Sequence, residues 1–176
     1  SEKEISAFRR DHLGFVFQDF NLLDTFSLED NIYLPLVLAG KKYAEMSSRL
    51  APIAKKLGIS DILKKYPYEV SGGQKQRAAI ARMLTQRAPI MVFDDSLSAV
   101  DAETDLKIRT QLKNNLGKST VVLISHRVTT LMSADCILVL DKGEVKQIGT
   151  HEELMAQDGI YRSIFEMQMS TNEVSA

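Results

Sequence analysis

The spacing of apolar residues changes about halfway along this sequence, and the two spacings predict different secondary structure. In the first half, apolar residues recur at helical intervals in three segments: from Ser27 toward Ala39, over 42–57, and after Gly73 to about Arg87. Ser27 and Asp30 resemble a capping box for the first helix, and Pro35 is expected to kink or end it. Gly58 is the expected stop of the second helix, and a further short helix is expected at 60–65.

Short continuous apolar runs are typical of buried strands, and most of them fall in the second half. They occupy four segments: 13–18, 90–94, 120–125 and 136–141. A DKGE turn at 141–144 leads into 145–149, which indicates a hairpin, and 102–116 is expected to be helical. Thr150 and Glu153 resemble a second capping box, before a C-terminal helical region. This alternation of strands and helices predicts an α/β fold with a parallel sheet.

Length, charge and cysteine content narrow the class of protein. The chain has 176 residues, enough for one domain, and its net charge of -1 gives no electrostatic footprint for nucleic acid or anionic lipid. Cys136 is the single cysteine, which excludes an internal disulfide and fits a reducing compartment. The longest apolar stretch, 32–39, is far shorter than the roughly 18 residues of a membrane span.

Polar side chains stand where several predicted strands end. Asp94 and Asp95 could divide a metal and a water between them, or could simply cap the following helix. His126 could stabilise charge on a phosphate or relay a proton, or be an ordinary loop histidine. Gln18 could ligate a metal or hold a water. The other histidines have no comparable position and are expected on the surface: His12 and His151.

The sequence SGGQ places two glycines at the expected start of a helix. The Ser71 hydroxyl can donate a hydrogen bond, and Gly72 and Gly73 let backbone N–H groups approach an oxyanion. The helix dipole adds partial positive charge at this end. The alternative is a glycine-rich turn after Pro67, with no ligand.

Taken together and in order, these motifs closely resemble the ATP-binding domain of ATP-binding cassette (ABC) transporters. The resemblance covers nearly the whole chain and runs through the Q-loop glutamine Gln18, the signature residues Ser71, Gly72, Gly73 and Gln74, the Walker B strand Ile90–Asp94, the catalytic carboxylate position Asp95, the D-loop Ser98–Asp101 and the switch histidine His126. It implies an α/β, P-loop NTPase-like parallel sheet with a helical subdomain. The implied boundaries are 19–88 for that subdomain, 1–18 and 89–150 for the core, and 151–170 for C-terminal helices.

The resemblance also implies roles for the site residues. Asp94 and Gln18 would serve Mg²⁺, Asp95 would polarise the attacking water, and His126 would contact the γ-phosphate of ATP. The four signature residues and Asp101 would bind nucleotide across a head-to-tail dimer with a second ATPase domain. Transmembrane permease subunits would be the other partners, on the cytoplasmic side of the cell membrane, and no nucleic acid is implied.

The family's phosphate-binding P-loop, G-x-x-x-x-G-K-[ST], is not found in the sequence. Gly117, Lys118 and Ser119 resemble its end, but Leu112 stands where its first glycine belongs, and the tripeptide precedes a strand. We therefore expect the N-terminal strand, the P-loop and the first helix to be missing. The chain alone should then lack appreciable ATPase activity, and the alternative function is an inactive cassette that acts as a protein-interaction module.

Two further expectations follow from departures from the family pattern. Most active members carry Glu at the position of Asp95, so a shorter carboxylate predicts slow turnover. The missing strand is expected to lie beside 90–94, which would leave Met91 and Phe93 uncovered.

The two halves resemble different subfamilies. The first resembles ATPases of lipoprotein-release, macrolide and bacitracin-type systems. The second resembles exporters fused to their membrane domain. The change falls within about 78–90, and both halves favour export.

Overall fold

A computed structural model of the chain describes residues 1–95 and 119–173. Contacts divide the chain into two compact units, Ser1–Ile124 and Ser125–Ala176, and each is described by itself. The predicted helix at 102–116 and Asp101 lie outside the described residues, and the predicted subdomain boundaries stay a prediction. Among the described helices, none combines the length and the apolar character needed to cross a bilayer.

The described part of the first unit contains a parallel sheet and four helices. In chain order its elements are α1 (Glu2–His12), β1 (Leu13–Val16), α2 (Leu28–Leu38), α3 (Tyr43–Leu57), α4 (Gly72–Gln86), β2 (Ile90–Asp94) and β3 (Thr120–Ile124). The strands lie in the order β1-β2-β3, with both pairings parallel. The α/β class and the parallel sheet predicted from the sequence are confirmed.

The core of the first unit lies between the sheet and α2, α3 and α4. Met91 and Phe93 belong to it, with 0% and 1% of their surface exposed. The expectation that they would be uncovered is wrong, because β2 is the central strand, between β1 and β3, and the two side chains pack into the cluster formed with α2, α3 and α4. On the edge strand β3, Val122 and Ile124 are 42% and 50% exposed, so its prediction as a fully buried strand is also wrong.

Local signals place the helix ends of this unit. The Ser27 hydroxyl accepts the Asp30 N–H at 3.1 Å and starts α2, which continues through Pro35 to Leu38. Proline therefore does not end α2. Gly58 adopts a left-handed conformation with φ 62° and ends α3, as predicted.

The helix expected at 60–65 is wrong, since this segment forms turns. Its carbonyl groups are used elsewhere: Leu63 accepts the Glu29 N–H and Lys65 accepts the Leu28 N–H, both at 2.8 Å. These bonds satisfy N–H groups in the first turn of α2 that have no partner within that helix. The segment 60–65 therefore caps α2 and does not form a helix of its own.

The second unit is built on a hairpin with helices. Its described elements are α5 (Val128–Leu131), β4 (Ile137–Asp141), β5 (Glu144–Gly149), α6 (His151–Met155) and α7 (Ile160–Glu173). The antiparallel β4-β5 hairpin and the Thr150–Glu153 capping box are confirmed. Leu138 and Leu140 of β4 are more than half exposed, so this strand is not buried as predicted.

The surface placement predicted for two histidines holds for only one of them. His12 is exposed. His151 is partly buried, and its Nδ1 lies 2.8 Å from the Tyr161 hydroxyl, so its expected place on the surface is wrong.

Helix α4 packs against β1 at Gly14. A Cβ added to Gly14 would lie 2.7 Å from Met83 Cγ and 3.4 Å from Ala88 Cβ. Separations below 3 Å do not occur for real side chains, so the absence of a side chain at this position permits the contact between helix and strand.

We expect Gly14→Ala to lower the free energy of unfolding of the first unit by about 1–3 kcal/mol, because the added methyl overpacks the contact with Met83. Combining it with Met83→Ala should recover part of that loss, which urea unfolding followed by circular dichroism would measure as a coupling energy. Gly72→Ala is the control, since its Cβ would meet nothing within 4 Å. Wild-type stability for Gly14→Ala would contradict the packing described here.

Candidate functional site

The carboxyl edge of the sheet collects three of the predicted site residues. Asp94 is the last residue of β2, and Gln18 lies two residues beyond Val16, which pairs with Phe93 of the same strand. Because β1 and β2 are parallel, Gln18, Asp94 and Asp95 leave the sheet at one edge. The two aspartates are partly buried and Gln18 lies in an exposed turn. This edge therefore carries the amide and both carboxylates.

The backbone of Asp95 is held in an unusual conformation. Its φ is 43°, and its N–H donates to the Ile124 carbonyl at 2.8 Å. Aspartate is among the few residues that adopt left-handed backbone with little penalty. The bond to Ile124 ties the end of β2 to the end of β3.

The histidine predicted to contact the γ-phosphate follows β3 along the chain. His126 lies two residues after Ile124, in the second unit, and is exposed. Its backbone carbonyl accepts a hydrogen bond at 2.7 Å from Nε2 of Gln168, which sequence reasoning did not identify.

The residues Ser71 to Gln74 begin helix α4. The Ser71 hydroxyl accepts the Gln74 N–H at 3.3 Å, and Gln74 Oε1 accepts the Ser71 N–H at 2.9 Å. The spacing S-x-x-Q is the sequence signal of this reciprocal capping box, which sequence reasoning did not identify. The Ser71 hydroxyl proton is not used in either bond and remains able to donate.

The glycines of this motif are not required by the packing of the chain. Among residues 1–95 and 119–173, nothing lies within 4 Å of a Cβ added at Gly72 or Gly73, and neither residue has positive φ. Their N–H groups open the helix, where no acceptor exists within the helix itself. Free donors, the positive end of the helix dipole and open space above two glycines suit an oxyanion.

The two ends of α4 have different neighbours. Its Met83 lies against Gly14 of β1. Ser71 precedes Met83 by about three turns, which places it about 18 Å away along the helix axis. The signature glycines therefore lie at the opposite end of α4 from its contact with β1.

Arg82 joins α4 to the turn that contains Gln18, and sequence reasoning missed it. Its guanidinium donates to the carbonyls of Phe20 and Asn21, both at 2.7 Å. These two residues have φ of 62° and 44°. Burial lowers the pKa of Arg82, but the ordinary pKa of arginine is so high that the guanidinium stays charged at neutral pH. In the sequence, Arg82 stands out only as a charged residue within an apolar helical stretch.

The donor set fits a nucleotide-bound magnesium better than a metal held by protein alone. Within residues 1–95 and 119–173, no group of three or more His, Cys, Asp or Glu side chains converges on a possible metal position. Mg²⁺ commonly takes one or two carboxylates, with phosphate oxygens and water completing its shell. Asp94 can supply a carboxylate to such a shell, and Gln18 an amide oxygen.

Comparison with known proteins gives the same assignment as these motifs. The ABC transporter family model matches residues 1–98, more than half of the chain. The bacitracin export ATP-binding protein BceA of Halalkalibacterium halodurans is 34% identical over 170 residues, which cover 90% of this chain and 67% of BceA. The methionine import ATP-binding protein MetN of Cupriavidus metallidurans is 38% identical, over 80% of this chain and 42% of MetN.

Solved structures agree with the fold. The dimeric structure of MJ0796, a bacterial ABC transporter cassette, matches with a TM-score of 0.77 and 32% identity, over 86% of this chain and 68% of that one. The same cassette is also known in a post-hydrolysis state bound to ADP and Pi. The chain thus spans about two thirds of BceA and of the cassette, and less than half of MetN. It belongs to the ABC transporter family of ATP-binding proteins.

Proposed function

We propose that the chain is part of an ATP-binding and ATP-hydrolysing subunit of a bacterial ABC transporter, and that it couples hydrolysis to export across the membrane. The observation that carries this proposal is the glycine pair at the start of α4, which has free N–H donors and open space but no role in packing. Export is favoured over import because BceA covers more of this chain, and has more of its own length covered, than MetN.

Residues at the sheet edge would bind the magnesium and orient the attacking water. Asp94, with Gln18 beside it, would hold Mg²⁺, which when bound neutralises charge on the phosphate oxygens. Asp95 would orient and polarise the water, and His126 would contact the γ-phosphate. Positioning and electrostatic stabilisation of this kind account for most of phosphoryl-transfer catalysis.

The signature residues would serve a nucleotide held by another subunit. Ser71, Gly72, Gly73 and Gln74 lie at the end of α4 away from β1, which suits contact across a head-to-tail dimer. Asp101 would act at the same interface. MJ0796 forms a dimer, and we extend that arrangement to this chain. Transmembrane permease subunits and a place on the cytoplasmic side of the cell membrane complete the proposal.

The alternative function is an inactive cassette that acts as an interaction module. Affinity for ATP distinguishes the two functions. Micromolar binding of ATP by the chain favours the enzyme, and binding too weak to detect favours the module.

The 176-residue chain by itself should release no phosphate from ATP and Mg²⁺ above the background set by Asp94→Ala. The reason is that no lysine of a P-loop is present to hold the β- and γ-phosphates. A single-turnover assay with radiolabelled ATP measures this. Hydrolysis that Asp94→Ala abolishes would refute the expectation.

Activity should depend on the signature glycines in a chimaera in which the P-loop segment of an ABC ATPase precedes Ser1. Gly73→Asp should lower its kcat by about 100-fold or more, because a carboxylate replaces open space for a phosphate. Its stability should change by less than about 0.5 kcal/mol, since an acidic residue suits the first turn of a helix.

The matched control is Ala44→Asp, which adds a carboxylate at the same position of α3 on an exposed residue. It should leave kcat unchanged. Equal activity of the two aspartate variants would remove the signature loop from the proposed site.

In the same chimaera, Asp95→Glu should raise kcat by about 10- to 100-fold, because the carboxylate gains roughly 1.5 Å of reach. It should also lower the free energy of unfolding by about 1 kcal/mol, because glutamate tolerates the left-handed backbone at this position less well. Steady-state phosphate release and urea unfolding measure the two effects. No change in kcat would show that reach does not limit the rate.

A further inference from the structure

One side chain of the C-terminal helix α7 holds the backbone on both sides of Arg127. Gln168 Oε1 accepts the Val128 N–H at 2.9 Å, and its Nε2 donates to the His126 carbonyl at 2.7 Å. The amide orientation follows from chemistry, because reversing it would set donor against donor and acceptor against acceptor. Gln168 therefore bonds the backbone of the segment that contains His126 at two points.

The hydrogen bonds of Gln168 add to the burial of Val128 in fixing this segment. Val128 begins α5, and the residue before it, Arg127, provides no side-chain cap. The bond from the Arg127 N–H to the Ser125 hydroxyl at 3.0 Å is local, so it cannot tie the segment to the rest of the unit. Gln168 supplies the missing cap from 40 positions away in the sequence.

Packing and hydrogen bonds hold helix α7 in place, and with it the side chain of Gln168. Tyr161, on the first turn, is buried in one cluster with Val128 and Leu154. Its N–H donates to Gln147 Oε1 at 3.0 Å, and its hydroxyl bonds His151. The strand β5, through Gln147, and the buried cluster therefore hold the helix that presents Gln168.

We propose that Gln168 is a positioning residue for His126, through which the C-terminal helix sets the place of the imidazole at the exit of β3. The proposal rests on the proposed function only in taking His126 as the residue that contacts the γ-phosphate. Gln168 itself touches the backbone of the histidine segment and would not touch nucleotide.

The test uses the whole chain without nucleotide, labelled for NMR. Its three histidines give three ring signals. Gln168→Glu keeps an acceptor for Val128 but loses the donor to His126, so the His126 signals should shift and broaden while exchange of the Val128 amide changes by less than about threefold. Gln168→Ala loses both bonds, so exchange of that amide should rise about tenfold.

Two controls separate positioning from general stability. Ser163→Ala removes a hydroxyl bond on the exposed side of the same helix and should move neither signal. His151, bonded to Tyr161 in the same unit, should keep its signals in every variant. Unchanged His126 signals in Gln168→Glu, or His151 signals that move as much as those of His126, would overturn the proposal.

If Gln168→Ala fails to fold, Gln168→Glu decides by the same comparison of His126 with His151. Because no nucleotide is present, failure here is separate from failure of the proposed function, which the activity of the chimaera tests.

Discussion

The close contact between α4 and β1 at Gly14 is the constraint on which the geometry of the first unit depends. Met83 occupies the space that a side chain at position 14 would need, so helix and strand approach closely. The residue before Met83, Arg82, donates to the carbonyls of Phe20 and Asn21 in the turn after Gln18. The same helix begins with the signature glycines. A single packed helix therefore links the turn that carries Gln18 to the loop that would meet a partner's nucleotide.

The glycines of β1 and of α4 have different explanations. Gly14 is explained by sterics, because any larger residue collides with Met83. Gly72 and Gly73 have no neighbour of this kind in the part of the chain that the structure describes, and glycine is a poorer helix former than most residues. A sequence that departs from local propensity with no packing reason marks a functional position. The pair is thus better explained by a ligand than by the fold.

Local chemistry explains what the sequence could predict. Strand positions, the Ser27 and Thr150 caps and the Gly58 stop depend on nearby residues, and all of them are found in the structure. The short helix predicted at 60–65 does not form, because the carbonyl groups of this segment cap α2. The expectation that Met91 and Phe93 would be uncovered failed because the apolar pattern of a strand does not say what packs on its faces.

At the site, the sheet-edge residues could be predicted because strands end where their apolar runs end. The residues that bond the backbone after Gln18 and at His126 could not be predicted. Arg82 reaches Asn21 across 61 positions, and Gln168 reaches His126 across 42. Each is a polar residue on a helix, indistinguishable in sequence from a solvated one. Only the packing of the helices brings them to the backbone that they support.

The end of β2 shows how backbone and chemistry are joined at this edge. A residue with φ of 43° is costly for most side chains, and here it is one of the paired acids. The bond from its N–H to Ile124 fixes the ends of β2 and β3 together, on the strand that leads to His126. Aspartate fits this bend with less strain than glutamate because its short side chain can bond locally. The short carboxylate therefore relieves strain at the position where, if Asp95 polarises the attacking water as proposed, reach would favour a longer one.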